Sequence, residues 1–210
     1  MKGKTIKLRF SRNLIFFLRK NGTTIAFAFI LILGVFAGVA CYSSKVNGFF
    51  ELADMISSLF LKARYNSNFI SIFISSVSFS FIFILFAFLS GLSLAGIPFL
   101  VIISFIRGFF LGALSGYLLS LGSFSGFLFY LSIVFLPSVI AIFALALGCR
   151  ESCNFSSYLI HALSVSGKGR LLQDFKIYCV RYIFLLGITL FSAVADMLLS
   201  GFFAKYFSLL

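Results

Sequence analysis

One arginine lies inside a long apolar run of this chain. Arg107 follows the segment from Ile97 to Ile106 and is followed by Gly108 and a further apolar stretch. A charge near the middle of a bilayer costs at least a few kcal/mol, so such residues are rare and usually face a protein interior or a wet cavity. The position of Arg107 therefore predicts a site of structural or interaction importance.

Asp196 is the one acidic residue within a predicted span and is the candidate partner of Arg107. At 1.5 Å per residue, Arg107 lies about 14 Å and Asp196 about 21 Å along helices that enter from the same side. That difference is at the limit of an arginine's reach. Direct contact with Asp196, snorkelling of Arg107, and pairing of Arg107 with carbonyls freed near Pro137 are all open.

The remaining chemistry-bearing residues do not form a catalytic pattern. The chain has five acids, and no two of them fall on one helix face within the membrane. Hydrolysis requires two positioned carboxylates, or a nucleophile with an oriented base. We therefore predict that the protein is not an enzyme and that a partner supplies any associated activity.

Metal or cofactor binding is not indicated either. A structural zinc site needs four placed ligands, whereas the cysteines are scattered and the single histidine, His161, is predicted in a loop. The cysteines are Cys41, Cys149, Cys153 and Cys179. We predict no metal and no cofactor.

The composition is that of an integral membrane protein. Hydrophobic residues make up 61% of the 210 residues and charged residues 10%, against about a quarter charged in ordinary globular chains. We predict one all-α domain over residues 1–210, a polytopic helical bundle with short connections. Its basic N-terminal segment covers residues 1–21, and its five spans cover about 23–42, 69–89, 98–121, 127–148 and 181–203.

The distribution of lysine and arginine predicts the orientation. With the N-terminus in the cytoplasm, the inner segments hold twelve basic residues and the outer segments four, which agrees with the bias of basic residues toward cytoplasmic loops. Five spans then place the C-terminus outside. The net charge of +12 suits contact with anionic membrane lipids, and nucleic acid is not predicted as a partner because the basic residues flank spans.

The first span could be either an anchor or a cleaved signal sequence. A basic segment precedes it, and the run from Gly38 to Cys41 loosely resembles a processing site. Because the apolar core is about 20 residues long, an uncleaved anchor is favoured.

Small residues form a stripe along the third span. Every fourth residue is small, at Ser104, Gly108, Gly112, Gly116 and Ser120, and Gly34 and Gly38 repeat the spacing in the first span. Such stripes let helix backbones approach closely. They indicate packing within the bundle, a homo-oligomer interface, or both.

Glycine and proline predict the turns. Gly91 to Gly96 and Gly122 to Gly126 are expected to be tight turns, Pro98 begins a helix, and Pro137 kinks the fourth span.

Two longer connections have helical apolar spacing and are expected to be interfacial helices. The outer one is defined by Phe49, Ala53, Ile56 and Phe60, and the inner one by Phe155, Leu159, Ala162 and Leu163. The outer helix is our candidate docking surface for an extracytoplasmic partner.

The region from about Leu89 to Gly201 resembles the core of the stage II sporulation protein M family. The similar residues are Gly91-x-Ser93-x-x-Gly96-Ile97-Pro98, Ile102 to Phe105, Arg107-Gly108, Gly112, Gly116, Gly126-Phe127, Leu136-Pro137, Arg181-Tyr182 and Ala193 to Asp196. In this resemblance Arg107 matches the family's basic position and Asp196 its acid near the outer end of the final span.

The resemblance implies a scaffold for peptidoglycan remodelling. It would anchor two cell-wall hydrolases, a glycan-cleaving enzyme and an amidase-type enzyme, at the sporulation septum or mother-cell membrane during engulfment of the forespore. The alternative is a transporter subunit or permease that works with a separate ATPase and in which Arg107 lines an anionic substrate path.

Overall fold

The computed structural model describes residues 2–44, 48–66, 69–164 and 171–203, whose backbone forms helices joined by short turns. The elements are α1 (Lys2–Ser43), α2 (Phe49–Asn66), α3 (Phe69–Gly91), α4 (Gly96–Phe129), a π-helical segment (Tyr130–Phe135), α5 (Leu136–Ser164) and α6 (Leu171–Phe203). Five stretches of these helices are long and apolar enough to cross a membrane, namely Gly22–Ser43, Phe69–Gly91, Gly96–Ser120, Gly126–His161 and Leu172–Phe202. The predicted all-α bundle with five spans is confirmed.

The chain reverses direction between Ser120 and Gly126, although helical backbone continues through this segment. A Cβ atom added to Gly126 would lie 2.0 Å from the carbonyl oxygen of Leu118, eight residues earlier. In a straight helix that separation is about 12 Å. Leu118 also packs with Phe129 and Ile133, so the third and fourth spans form a hairpin at the predicted turn.

Two predicted helix boundaries in the second half are wrong. The sequence predicts a polar connection from Cys149 to Cys179 with an interfacial helix of its own, whereas α5 continues without a break to Ser164 and α6 already begins at Leu171. Phe155 belongs to α5 and stacks on Tyr178 of α6 with ring centroids 4.5 Å apart. This buried aromatic contact lies beyond the predicted ends of both spans.

The expected inner interfacial helix is accordingly the last part of α5. His161 lies there too, exposed on the helix rather than in a loop. The side chains of Ala162 and Leu163 fall outside the described part of the chain.

The turn between α3 and α4 occupies residues 92–95, within the predicted Gly91 to Gly96 turn. Helix α4 begins at Gly96, two residues before Pro98, so Pro98 lies within the first turn rather than at its start. A proline is tolerated there because the first four backbone N–H groups of a helix have no partner within it.

Helices α1 and α4 touch backbone to backbone through their glycines. A Cβ atom on Gly108 would lie 2.1 Å from the carbonyl oxygen of Leu31, and one on Gly112 would lie 2.1 Å from that of Val35. Gly34 and Gly38 make equally close approaches to the α4 backbone. The small-residue stripe is therefore a packing surface within this chain.

The stripe contacts α1 along most of its length and α5 at its Ser104 end. A Cβ atom added to Gly116 would lie 3.0 Å from the side chain of Tyr42 on α1. The hydroxyl of Ser104 lies 3.4 Å from the sulfur of Cys149 on α5. Positions four residues apart are offset by about 40° around the helix axis, because an α-helix has 3.6 residues per turn. The stripe therefore faces α5 at Ser104 and α1 further along the helix.

Hydrogen bonds join α3, α5 and α6 at the end of the bundle opposite α2. Ser152 of α5 donates to the Ala87 carbonyl at 2.8 Å, and its hydroxyl lies 2.9 Å from that of Tyr178. Tyr178 donates to the Phe88 carbonyl and Tyr182 to the Gly148 carbonyl, at 2.9 Å and 3.0 Å. The network links the three helices through buried polar atoms that are satisfied within the chain.

Gly91 and Gly96 make room for this end of the bundle. A Cβ on Gly91 would lie 2.3 Å from the Tyr178 hydroxyl oxygen, and one on Gly96 would lie 1.9 Å from the Ser90 carbonyl oxygen. Ser156 donates to the Ser93 carbonyl at 2.8 Å and ties the turn to α5.

Replacing Gly108 with alanine should destabilise the bundle, because its Cβ would meet the α1 backbone, which cannot move aside as a flexible side chain can. Overpacking of this kind costs about 1–3 kcal/mol. Thermal unfolding in mild detergent, followed by circular dichroism, measures the effect.

The matched control is Gly187→Ala in α6, where nothing lies within 4 Å of the added Cβ. We expect this variant to unfold at the wild-type temperature or slightly above it. Equal loss of stability in the two variants would contradict the close approach of α1 and α4.

Candidate functional site

A buried ion pair joins α2 to α6. The Arg64 guanidinium Nη2 lies 2.5 Å from Oδ2 of Asp196, and the two residues are 8% and 2% exposed. Arg64 Nε donates to the Ser200 hydroxyl at 3.1 Å, and Ser200 donates to Oδ1 of Asp196 at 3.2 Å. The Asp196 carboxylate thus has a partner on each oxygen.

Helix α2 delivers Arg64 by crossing the end of the bundle. Ala53 packs against Tyr42 and Ala113, and Phe60 packs against the cluster around Leu114. Tyr42 also donates to Asp54 at 3.5 Å. Contacts along its length therefore hold α2 against the other helices.

The Arg64 side chain is stabilised from two directions. Its guanidinium carbon lies 3.3 Å from the centroid of the Phe60 ring, a cation–π contact. Burial lowers the pKa of Arg64, and the Asp196 carboxylate acts in the opposite direction by favouring the charged form.

The partner of Asp196 is thus Arg64, and the Arg107 contact considered from the sequence is not the one formed. Arg64 was not among the site residues predicted from the sequence. Its spacing nevertheless indicates a buried position. Arg64 lies four residues after Phe60, and residues four apart share one helix face, which here packs against the bundle.

Arg107 is buried in the middle of α4, with 4% of its surface exposed. Its guanidinium carbon lies 4.5 Å from the ring centroid of Phe79 and 5.2 Å from that of Phe83, both on α3. Its Nη1 is buried and has no hydrogen-bond partner among the described residues. Two aromatic faces cover the cation, but they do not neutralise it.

A cavity of about 250 Å³ brings the three charged side chains together. Arg64, Arg107 and Asp196 line it, along with serines of α3, α5 and α6. The convergence of these side chains was not predicted from the sequence, because they are far apart along the chain. The arrangement can hold a small anionic group.

Pro137 also lines this cavity, and the chain before it is irregular. The π-helical segment Tyr130–Phe135 directly precedes it, where a sequence-based kink was expected. Proline lacks the N–H that would bond four residues back, and a π segment is one way to accommodate the disruption. The Pro137 carbonyl accepts a hydrogen bond from Ser192 of α6 at 2.6 Å, which ties α5 to α6 at this point.

The residues selected from the sequence fall in three places. Arg107, Pro137 and Asp196 surround the cavity. Those that serve helix packing are Ser104, Gly108, Gly112 and Gly116 along α4, and Gly91 and Gly96 at the opposite end. Pro98 is exposed. Within the described ranges, no three His, Cys, Asp or Glu side chains are placed to hold a metal ion.

The fold and its buried charges define the class of protein: a multi-pass helical membrane protein with five apolar spans in the described part of the chain. The model of the family described as stage II sporulation protein M matches residues 24–203. The chain belongs to the stage II sporulation protein M family, a sporulation-linked family, and the resemblance noted from the sequence is confirmed. No curated protein and no solved structure matches the chain.

Removing the Asp196 charge should destabilise the protein strongly. The substitution Asp196→Asn leaves Arg64 buried without its counter-ion, and breaking a buried pair in this way costs about 3–5 kcal/mol. Thermal unfolding of the purified protein in detergent should show a lowered melting temperature.

The ion pair between Arg181 and Glu151 provides the control, because its arginine side chain is 57% exposed. Exposed pairs contribute about 0–1 kcal/mol, so Glu151→Gln should have little effect. If the two variants melt together, the buried pair does not stabilise the fold.

Proposed function

We propose that this protein is a non-enzymatic membrane scaffold that anchors and localises peptidoglycan hydrolases during engulfment of the forespore. The observation that carries the proposal is the family match over residues 24–203, which covers four of the five described spans in full and all but the first two residues of the other. In the proposal the partners are a glycan-cleaving enzyme and an amidase-type enzyme, and the protein acts at the sporulation septum or mother-cell membrane.

The geometry supports an attachment surface on α2. The helix is fixed to the bundle by the Arg64–Asp196 pair, by Phe60 and by the Tyr42–Asp54 hydrogen bond. On the side away from the bundle it exposes Met55, with 60% of its surface free. In the orientation predicted from charge, this face lies on the side of the membrane where the cell wall is.

Placing a charge on that face should weaken hydrolase binding. We expect Met55→Arg to lower recovery of the hydrolases when the protein is purified from sporulating cells, because the new charge must be desolvated in the interface. The readout is the ratio of hydrolase to scaffold in the detergent pull-down.

Leu172→Arg is the matched control, since Leu172 is 79% exposed but lies at the start of α6, at the other end of the bundle. It should leave recovery unchanged. Failure of the wild-type protein to recover any wall hydrolase would count against the scaffold, and equal loss in both variants would count against α2 as the attachment surface.

The cavity favours a second candidate, a transporter subunit that works with a separate ATPase. In that alternative Arg107 lines the path of an anionic substrate, and the converging serines and charges are its polar lining. Deleting the gene separates the two functions: arrest at engulfment supports the scaffold, whereas normal spores with altered solute uptake support the transporter.

A further inference from the structure

The cavity between α2 and the other helices carries one uncompensated positive charge. Asp196 pairs directly with Arg64 at 2.5 Å and acts on Arg107 only at longer range, so two arginines share one carboxylate. Among the described residues, Arg107 forms no ion pair and its buried Nη1 has no hydrogen-bond partner. A buried charge without a counter-ion costs several kcal/mol. The cavity therefore favours an occupant with one negative charge.

The rest of the lining fits an oxyanion joined to an apolar group. Ser75, Ser76 and Ser80 of α3 and Ser138 of α5 supply hydroxyl groups around the space. Phe110, Leu111 and Leu114 of α4 supply apolar wall next to them. An arginine guanidinium can donate two parallel hydrogen bonds to a phosphate or carboxylate, which would satisfy the Nη1 that is now unpaired.

The cavity opens toward the side of the molecule between α2 and α3. Three of its lining residues are exposed: Ile56 and Leu59 on α2 and Ser75 on α3. The volume of about 250 Å³ is below the roughly 300–1,000 Å³ of pockets that enclose a whole drug-sized ligand. The space suits a headgroup whose apolar remainder stays outside, beside Ile56 and Leu59.

We propose that this cavity binds the anionic phosphate headgroup of a membrane lipid, with the phosphate paired to Arg107 and the acyl chains leaving between α2 and α3. The bilayer surrounds the spans and supplies such amphiphiles next to the opening. The same oxyanion chemistry would accept a free phosphate, and the test separates the two sources. This site is independent of hydrolase anchoring.

Native mass spectrometry of the full-length protein in detergent measures the binding. The probes are phosphatidylglycerol, phosphatidylcholine with the same acyl chains, and inorganic phosphate. We expect the wild-type protein to retain phosphatidylglycerol in preference to phosphatidylcholine, because the choline cation of the latter offsets its phosphate charge and is repelled by the nearby arginines. Arg107→Gln should weaken the retention of phosphatidylglycerol about tenfold to a hundredfold, since hydrogen bonds to charged groups contribute about 1.5–3 kcal/mol.

Further variants keep the test valid if Arg107→Gln fails to fold. Arg107→Lys preserves the charge and should retain part of the preference. Ser75→Phe narrows the opening without changing any charge and should reduce binding. The matched control is Ser78→Phe, three residues further along α3, which is exposed but does not line the cavity and should bind as the wild type does.

Loss of the preference in Ser75→Phe together with its retention in Ser78→Phe and in part in Arg107→Lys supports the proposal. Equal retention of the two lipids by the wild-type protein, or unchanged retention in a folded Arg107→Gln variant, would overturn it. Displacement of phosphatidylglycerol by inorganic phosphate through Arg107 would overturn the lipid as the source and assign the site to a free oxyanion.

Discussion

The close approach of α1 and α4 sets the orientation of everything around the cavity. Gly108 and Gly112 bring the α4 backbone into contact with α1. Any other rotation of α4 would place a side chain between the two helices and prevent this contact. Successive residues of an α-helix are about 100° apart, so Arg107 must point to one side of the α1 contact. Leu111 and Leu114 fall on the same side, and all three line the cavity. The glycine contact with α1 therefore also fixes the direction in which the Arg107 side chain points.

The two buried arginines are accommodated in different ways. Arg64 is brought in by a helix that is not itself a span and meets a carboxylate already held by Ser200. Arg107 is fixed by its own spanning helix and reaches only the faces of Phe79 and Phe83. A ring quadrupole attracts a cation but accepts no strong hydrogen bond from it. Arg64 therefore links α2 to α6, whereas Arg107 can still donate a hydrogen bond to a ligand.

Local patterns in the sequence predicted much of the fold, because apolar length and small-residue spacing act within single helices. The five spans, the turn at Gly91 and the reversal before Gly126 follow from such patterns. The length of α5 did not, since the helix through Phe155 was predicted as a separate interfacial helix. It continues the fourth span instead, and there Phe155 stacks on Tyr178 of α6. The partner of Asp196 was also not predicted. The sequence argument compared only the positions of Arg107 and Asp196 along their own helices, and it could not show that α2 brings Arg64 to Asp196. Tertiary contacts decided both cases.

The two ends of the bundle differ in how their polar groups are satisfied. At one end Ser152, Tyr178 and Tyr182 bond to one another and to backbone carbonyls, and this closed network ties three helices together. At the other end α2 covers charges and serines around an open space, and Arg107 keeps a donor unpaired. A satisfied network favours a single rigid arrangement, whereas an unsatisfied buried donor favours any ligand that can accept from it. The α2 end therefore has an unpaired donor that can bind an anionic ligand. The hydrogen-bond network at the opposite end fixes the positions of the helices that form the binding cavity.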